Sequence, residues 1–189
     1  MKILCFGDSN TYGYDPRGFF ADRYPAKNRW VDLLSVSHGW DVINAGVNGR
    51  EIPSNFHFLR LPDAHISADM FLVMLGTNDL LQGASAKEAA VRMEAFLSHL
   101  LPFCKQVVLV APPPLKRGAW VPADELVTES ILLAEKYDTV AANLNIPFIN
   151  TCAWNVELAF DGVHFTEAGH HIFAEKISKE LLAYCEGAL

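Results

Sequence analysis

One serine, one histidine and one aspartate are spaced in this chain so that they could form a nucleophilic site. Ser9 lies in the run Gly7-Asp8-Ser9-Asn10, directly behind a short apolar segment. Far along the chain, Asp161 precedes His164 by three residues. A serine hydroxyl needs a base to attack a carbonyl carbon, and an imidazole base needs a carboxylate to fix its tautomer. These residues predict acyl transfer, with Ser9 as nucleophile, His164 as base and Asp161 as the group that orients it.

Two further polar clusters could stabilise the oxyanion that such an attack creates. They read Asn44-x-Gly46-x-x-Gly49 and Gly76-Thr-Asn78-Asp79. An oxyanion needs N–H donors that are in place beforehand. We predict three donors, the backbone N–H groups of Ser9 and Gly46 and the side-chain amide of Asn78. Taken singly, the glycine cluster is also typical of a turn, and Asn78 could instead cap a helix.

The elements between these clusters predict how they are brought together. Apolar segments with β-branched or aromatic residues predict buried strands at 2–6, 40–45, 70–75, 106–111 and 147–150. Amphipathic spacing predicts helices at 29–37, 86–101 and 125–144, and a last helix with Thr166 as its N-cap. Alternating strands and helices predict a parallel sheet covered on both faces. Because three polar clusters directly follow predicted strands, we expect them to share one rim of that sheet.

Composition narrows the class of protein and of partner. The chain has 189 residues, of which 51% are hydrophobic, and a formal net charge of -7. These values predict one globular domain over residues 1–189, without nucleic acid or an anionic membrane as a partner. No apolar run is long enough to span a membrane, and the early start of the first strand predicts no secretory signal. We therefore expect a cytoplasmic protein with reduced cysteines; its oligomeric state stays open, a homo-oligomer included.

Aromatic and polar residues beside the clusters are candidates for substrate binding. Two long irregular segments, 10–28 and 112–124, are of a length that is usually functional. From these segments and their surroundings we select Asn10, Tyr12, Trp120 and Trp154. The histidines form no metal-ligand pattern, so the sequence predicts neither a metal nor a cofactor.

Taken together, the four clusters resemble those of the GDSL-type esterases of the SGNH hydrolase superfamily. The resemblance spans nearly the whole chain and places the four residues that name the superfamily on Ser9, Gly46, Asn78 and His164. It implies a flavodoxin-like three-layer α/β/α sandwich with a five-stranded parallel sheet. Asn10 departs from the leucine of the family name. The run Gly-Asp-Ser-Asn-Thr, followed by an aromatic residue and glycine, resembles the arylesterase and acyltransferase branch.

The expected activity is hydrolysis of small carboxylic esters through an acyl-enzyme, with acyl transfer to an alcohol as a further property of that branch. A carbohydrate O-deacetylase is the alternative, and a thioesterase or lysophospholipase is a third. A non-catalytic flavodoxin-like binding module would keep the fold without the three catalytic residues. The presence of Ser9, Asp161 and His164 favours the enzyme.

Overall fold

The structure, a computed structural model, describes residues 1–18, 22–54 and 68–187, without the side chains of 185–187. The strands in these ranges are β1 (Lys2–Gly7), β2 (Asp41–Gly46), β3 (Met70–Met74), β4 (Val107–Val110) and β5 (Phe148–Ile149). The α-helices are α1 (Ser9–Tyr12), α2 (Trp30–His38), α3 (Thr77–Leu81), α4 (Ala86–Leu100), α5 (Asp124–Leu144) and α6 (Glu167–Gly187).

The strands form one parallel sheet in the order β2-β1-β3-β4-β5. After β1 the chain forms β2 on one side of it, and then crosses back to form β3 on the other side. At the carboxyl rim, Gly7 of β1 is in register with Gly46 of β2 and Met74 of β3. In open α/β sheets, ligands bind at the rim where the strand order reverses, which here lies between β1 and β3.

Two apolar cores cover the two faces of the sheet. Alternate residues of β1 point to opposite faces, as expected for a strand. Leu4 and Phe6 belong to the core under α4 and α5, and Ile3 and Cys5 to the core under α2 and α6. The three-layer, five-stranded parallel fold predicted from the sequence is therefore confirmed.

Helix starts agree with local hydrogen-bonding chemistry. Helix α4 begins at a capping box in which Ser85 and Glu88 each accept the other's backbone N–H. The Thr166 hydroxyl accepts the N–H of Gly169 at 3.0 Å, which confirms Thr166 as the N-cap of α6. The short helices α1 and α3 were not predicted. With four and five residues, they are too short to show an amphipathic repeat.

A buried histidine joins α2 to α6. The side chain of Arg29, the N-cap residue of α2, makes no capping hydrogen bond. Instead, the Trp30 N–H points to His170 Nδ1 at 3.5 Å. Burial, followed by the charges of neighbouring basic groups, lowers the pKa of His170 to about 3. The imidazole therefore stays neutral and keeps Nδ1 as an acceptor, which assigns His170 to packing between the helices.

The described residues contain free cysteines but neither a membrane-spanning helix nor a cluster of metal ligands. Cys5 is buried, Cys104 and Cys152 are half-buried, and all three are free thiols; the side chain of Cys185 lies outside the description. Within the same residues, no helix is long and apolar enough to cross a membrane, and no group of three His, Cys, Asp or Glu side chains could hold a metal ion. His57 and His65 lie outside the described residues.

Candidate active site

Ser9 is the first residue of α1, directly beyond the carboxyl end of β1. The preceding Asp8 caps the helix, because its carboxylate accepts the Asn10 N–H at 2.9 Å. Gly13 ends the helix in the left-handed conformation, with φ 91°. A cap on one side and a glycine on the other restrict the helix to a single turn, which holds Ser9 at the rim of the sheet.

His164 is held by a tight turn that begins at Asp161. Asp161 Oδ1 accepts the backbone N–H groups of Val163 at 2.9 Å and of His164 at 3.0 Å. Asp161 Oδ2 lies 2.6 Å from His164 Nδ1. Gly162 adopts φ +81°, and a side chain there would clash with the Lys116 carbonyl. The turn therefore requires a glycine, and one carboxylate fixes both the backbone and the ring of His164.

The fold brings these two segments into hydrogen-bonding contact across 155 residues of sequence. His164 Nε2 lies 3.0 Å from Ser9 Oγ, and all three side chains are buried. Because Asp161 accepts a hydrogen bond from the Nδ1–H, the neutral imidazole has its lone pair on Nε2, where it can accept the Ser9 proton. The structure thus brings Ser9, His164 and Asp161 into one continuous set of contacts.

Asp8 and Asp161, both near the rim, have different electrostatic surroundings. Burial acts to raise the pKa of Asp161, but the hydrogen bonds from His164 and Val163 outweigh it and hold that pKa below its usual value. Burial of Asp8 raises its pKa to about 6, against the opposing effect of the Asn10 N–H. Asp161 is therefore the more firmly ionised partner for an imidazolium.

Two aromatic rings flank the imidazole of His164. The Tyr14 ring centroid lies 4.6 Å from the His164 centroid, and the Trp120 ring meets the imidazole edge-on at 5.1 Å. Trp120 is 53% exposed, so it offers a free apolar surface beside the base. A cavity of about 230 Å³ is lined by Ser9, Tyr14, Asn48, Gly49, Asn78, Trp120 and His164.

Asn78 lies in this cavity and does not cap a helix. It is the second residue of α3, whose N-cap is Gly76. Its amide donates one N–H to the Arg50 carbonyl at 3.1 Å, which leaves a second N–H. The next residue, Asp79, is fully buried and accepts hydrogen bonds from the Ile52 N–H and the Arg92 guanidinium. These contacts fix the loop on which Asn78 stands.

Gly46 does not line the cavity, contrary to the sequence prediction. Its N–H donates to Asn44 Oδ1 at 3.0 Å, and a side chain at Gly46 would clash with the backbone of Thr11 and Tyr12. A glycine is needed here because α1 packs directly on the end of β2. Gly49, three residues later, does line the cavity, and its N–H has no acceptor among the described residues.

The predicted substrate-binding residues divide between the cavity and the core. Trp120 lines the cavity. Trp154 instead packs on Phe173 in the core, with ring centroids 5.2 Å apart. Tyr12 lies under the Arg23 guanidinium, 4.5 Å from the ring centroid, and is outside the lining. Asn10 is buried, with both polar atoms of its side chain bonded to the His164 segment.

Tyr14 and Asn48 line the cavity but were not among the predicted site residues. Tyr14 lies four residues after Asn10, and Asn48 lies inside the cluster Asn44-x-Gly46-x-x-Gly49, so position in the sequence is the signal that could have found them. Proximity alone could not separate Tyr14 from Tyr12, because which of the two faces His164 depends on where α1 ends.

Comparison with known proteins agrees with this geometry. The model of the GDSL-like Lipase/Acylhydrolase family matches residues 5–172. The chain belongs to this family. Family membership confirms the resemblance inferred from the four clusters and identifies a hydrolase of the GDSL esterase type. A comparison with curated proteins gives no match.

Solved structures of GDSL and related esterases have the same fold. Est24, a carbohydrate acetylesterase from Sinorhizobium meliloti, is 25% identical with a TM-score of 0.80, covering 97% of this chain and 99% of its own. An aryl esterase from M. smegmatis is 24% identical with a TM-score of 0.79, covering 96% and 98%. A lipolytic protein of the G-D-S-L family from Veillonella parvula is 23% identical with a TM-score of 0.73, covering 94% and 96%. The latter two likenesses bear on the fold alone.

Proposed function

We propose that this GDSL-family protein hydrolyses small carboxylic esters through an acyl-enzyme formed on Ser9, without a metal or cofactor. The observation that carries the proposal is the continuous set of contacts from Ser9 Oγ to His164 Nε2 at 3.0 Å and from His164 Nδ1 to Asp161 Oδ2 at 2.6 Å. A buried serine in line with a carboxylate-oriented imidazole has the geometry of an activated nucleophile.

In the acylation step, His164 Nε2 takes the proton from Ser9 Oγ as that oxygen bonds to the ester carbonyl carbon. The carbonyl electron pair moves to oxygen, and Asp161 stabilises the imidazolium. When the pair returns, the bond to the alcohol oxygen breaks, and His164 gives that oxygen its proton. Water then hydrolyses the acyl-enzyme in the same way. His164 takes a proton from the water as the water oxygen bonds to the acyl carbon. The bond from that carbon to Ser9 Oγ then breaks, and His164 returns the proton to Ser9 Oγ.

Three N–H groups are suited to the oxyanion in this proposal. They are the backbone N–H of Ser9 at the start of α1, the backbone N–H of Gly49 and the second amide N–H of Asn78. The first residues of a helix have N–H groups without intrahelical partners. Gly49 replaces Gly46 in this role, because the Gly46 N–H is bonded to Asn44 and the Gly49 backbone lines the cavity.

The shape of the cavity favours a small substrate. At about 230 Å³ it is smaller than the roughly 300–1,000 Å³ typical of sites for drug-sized ligands. Tyr14 and Trp120 give it apolar walls, which suit an aryl or short alkyl group. A carbohydrate O-deacetylase is the second candidate, because Asn48 adds a polar group to the lining and Est24, at 25% identity, is a carbohydrate acetylesterase.

A panel of esters assayed side by side tests the proposal and separates its alternatives. The panel pairs nitrophenyl esters of two-, four- and eight-carbon acids with an acetylated sugar, an acyl thioester and a lysophospholipid. We expect kcat/KM to be highest for the two- or four-carbon nitrophenyl ester and to fall about tenfold or more at eight carbons, because even one methylene that does not fit a pocket costs roughly 1–3 kcal/mol.

The other outcomes of the panel are equally informative. A preference for the acetylated sugar over the nitrophenyl acetate would select the deacetylase. A preference for the thioester or the lysophospholipid would contradict the small-ester proposal. Turnover that disappears after dialysis against EDTA and returns with Zn²⁺ would contradict the metal-free mechanism as a whole.

Substituting Asn78 tests its role as an oxyanion donor. Asn78→Asp removes both amide N–H groups and places a carboxylate beside the developing charge. We expect kcat to fall by at least about 10²–10³, with KM little changed, because the lost interaction is made in the transition state. The measurement is kcat and KM for nitrophenyl acetate, with melting temperature recorded in parallel.

Asn78→Asp also loses the hydrogen bond to the Arg50 carbonyl, so a second variant is compared with it. Asn78→Ser keeps a hydroxyl donor of shorter reach, so its kcat should lie between those of Asn78→Asp and the unmodified protein. If Asn78→Asp folds and retains its kcat, the amide is not an oxyanion donor.

A further inference from the structure

We propose that Asn10 is a positioning residue that sets the distance between Ser9 and His164. The inference rests on the proposed function, since it assigns Asn10 to the alignment of that nucleophile and base. It differs from the role expected from the sequence, in which Asn10 contacts substrate.

The Asn10 side chain bonds to the chain on both sides of His164. Its Nδ2 donates to the Val163 carbonyl at 3.1 Å, and its Oδ1 accepts the Phe165 N–H at 3.0 Å. The residue is 5% exposed, so these bonds are shielded from water. One residue thus holds the two peptide groups next to the base.

The backbone of Asn10 is anchored on the nucleophile side. Its N–H donates to Asp8 Oδ1 at 2.9 Å, and its carbonyl accepts the Trp30 indole N–H at 2.9 Å. Ser9 is the residue directly before Asn10, so few rotatable bonds separate the anchored backbone from the nucleophile. A displacement of the His164 segment relative to α1 must therefore break the Asn10 bonds.

Among the described residues, no other hydrogen bond outside the reacting pair joins these two segments. The Asp161 bonds fix His164 within its own turn, but they do not reach β1 or α1. Between segments 8–11 and 161–166, the hydrogen bonds are the Ser9–His164 bond and the two from the Asn10 side chain. The Ser9–His164 bond must be broken and remade in each turnover, so the two Asn10 bonds are the hydrogen bonds that remain to maintain the alignment, beside the packing of the Tyr14 ring on His164.

Two variants test the inference. Asn10→Asp is nearly isosteric: it keeps an acceptor for the Phe165 N–H but turns an oxygen toward the Val163 carbonyl. Asn10→Ser is too short for either bond. We expect both to lower kcat for nitrophenyl acetate by about 10², the loss typical of a misplacement near 1 Å, with KM within about twofold because Asn10 does not line the cavity.

A pH series provides a readout that a purely structural role would not change. The carboxyl introduced by Asn10→Asp can take up a proton at low pH, and its O–H then donates to the Val163 carbonyl. The ratio of unmodified to Asn10→Asp kcat should therefore shrink between about pH 8 and about pH 5.5. The ratio for Asn10→Ser should stay constant over the same range.

Thr151→Val is the matched control for stability. The Thr151 hydroxyl is buried and donates to the Ala111 carbonyl at 2.9 Å, without contact to either catalytic segment. It should lower the melting temperature and leave kcat unchanged. All assays are run well below the lowest melting temperature, with the folded fraction checked by circular dichroism.

The outcomes separate this inference from the proposed function. If a fluorophosphonate fails to label Ser9 in the unmodified protein, the proposed function fails and the inference with it. If Ser9 is labelled and both Asn10 variants keep kcat within about twofold, the inference alone is overturned. A raised KM at constant kcat, or loss of folding in both variants, also overturns it, because Asn10 would then serve substrate binding or the fold itself.

Discussion

Ser9→Ala is expected to lower kcat for nitrophenyl acetate by about 10⁶, to the background of the assay, and to abolish labelling by a fluorophosphonate. The variant removes the atom that His164 activates, and no other serine lines the cavity in the part of the chain that the structure describes. The folded state should change little, since the hydroxyl makes one hydrogen bond, worth about 0.5–1.5 kcal/mol. Turnover, intact-protein mass after labelling and melting temperature are the three measurements.

Ser130→Ala is the matched control for this experiment. Ser130 is 5% exposed against 6% for Ser9, so the two serines are equally buried. Its hydroxyl bonds to the Leu115 N–H and the Val127 carbonyl, away from the imidazole. Ser130→Ala should keep both kcat and labelling. Turnover or labelling that persists in Ser9→Ala would place the nucleophile elsewhere and end the proposed mechanism.

Asp161→Asn is expected to cost about 10⁴ in kcat while the protein remains folded. The amide oxygen can continue to accept the N–H groups of Val163 and His164, which keeps the turn. The amide NH₂ then faces His164 Nδ1, so the imidazole must accept there and carry its proton on Nε2. In that tautomer His164 cannot take the Ser9 proton.

The loss of kcat is measured by turnover of nitrophenyl acetate, and nitrogen-15 NMR of the His164 ring checks its cause. The expected spectrum shows the proton on Nδ1 in the unmodified protein and on Nε2 in Asp161→Asn. Asp69→Asn makes the same change of charge just before β3, at the amino-terminal rim of the sheet, where Asp69 pairs with Lys105, and should leave kcat unchanged. A fully active Asp161→Asn protein would mean that another carboxylate orients the base.

Much of the fold and half of the site could be read from the sequence. The inner strands β1, β3 and β4 are buried on both faces, so each is a short apolar run that stands out against its neighbours. A parallel sheet then requires the polar clusters after β1, β2 and β3 to meet at one rim. Asp161 and His164 needed no long-range information to be paired, because a turn of four residues brings them together.

Only the tertiary structure decided which neighbours of these clusters face the cavity. Gly46 and Gly49 belong to one cluster of the sequence. Gly46 lies against the backbone of α1, which packs on the end of β2, whereas Gly49 lines the cavity. Likewise, Tyr12 and Tyr14 are alike in sequence, and the end of α1 between them turns the second toward His164.

Asn10 shows the same division most clearly. Its position beside Ser9 was evident from the sequence, but its hydrogen bonds run to Val163 and Phe165, more than 150 residues away. Local patterns record strand, helix and turn, because those depend on residues close in the chain. Contacts between distant segments depend on how the finished layers pack, and a single sequence carries no local pattern for them.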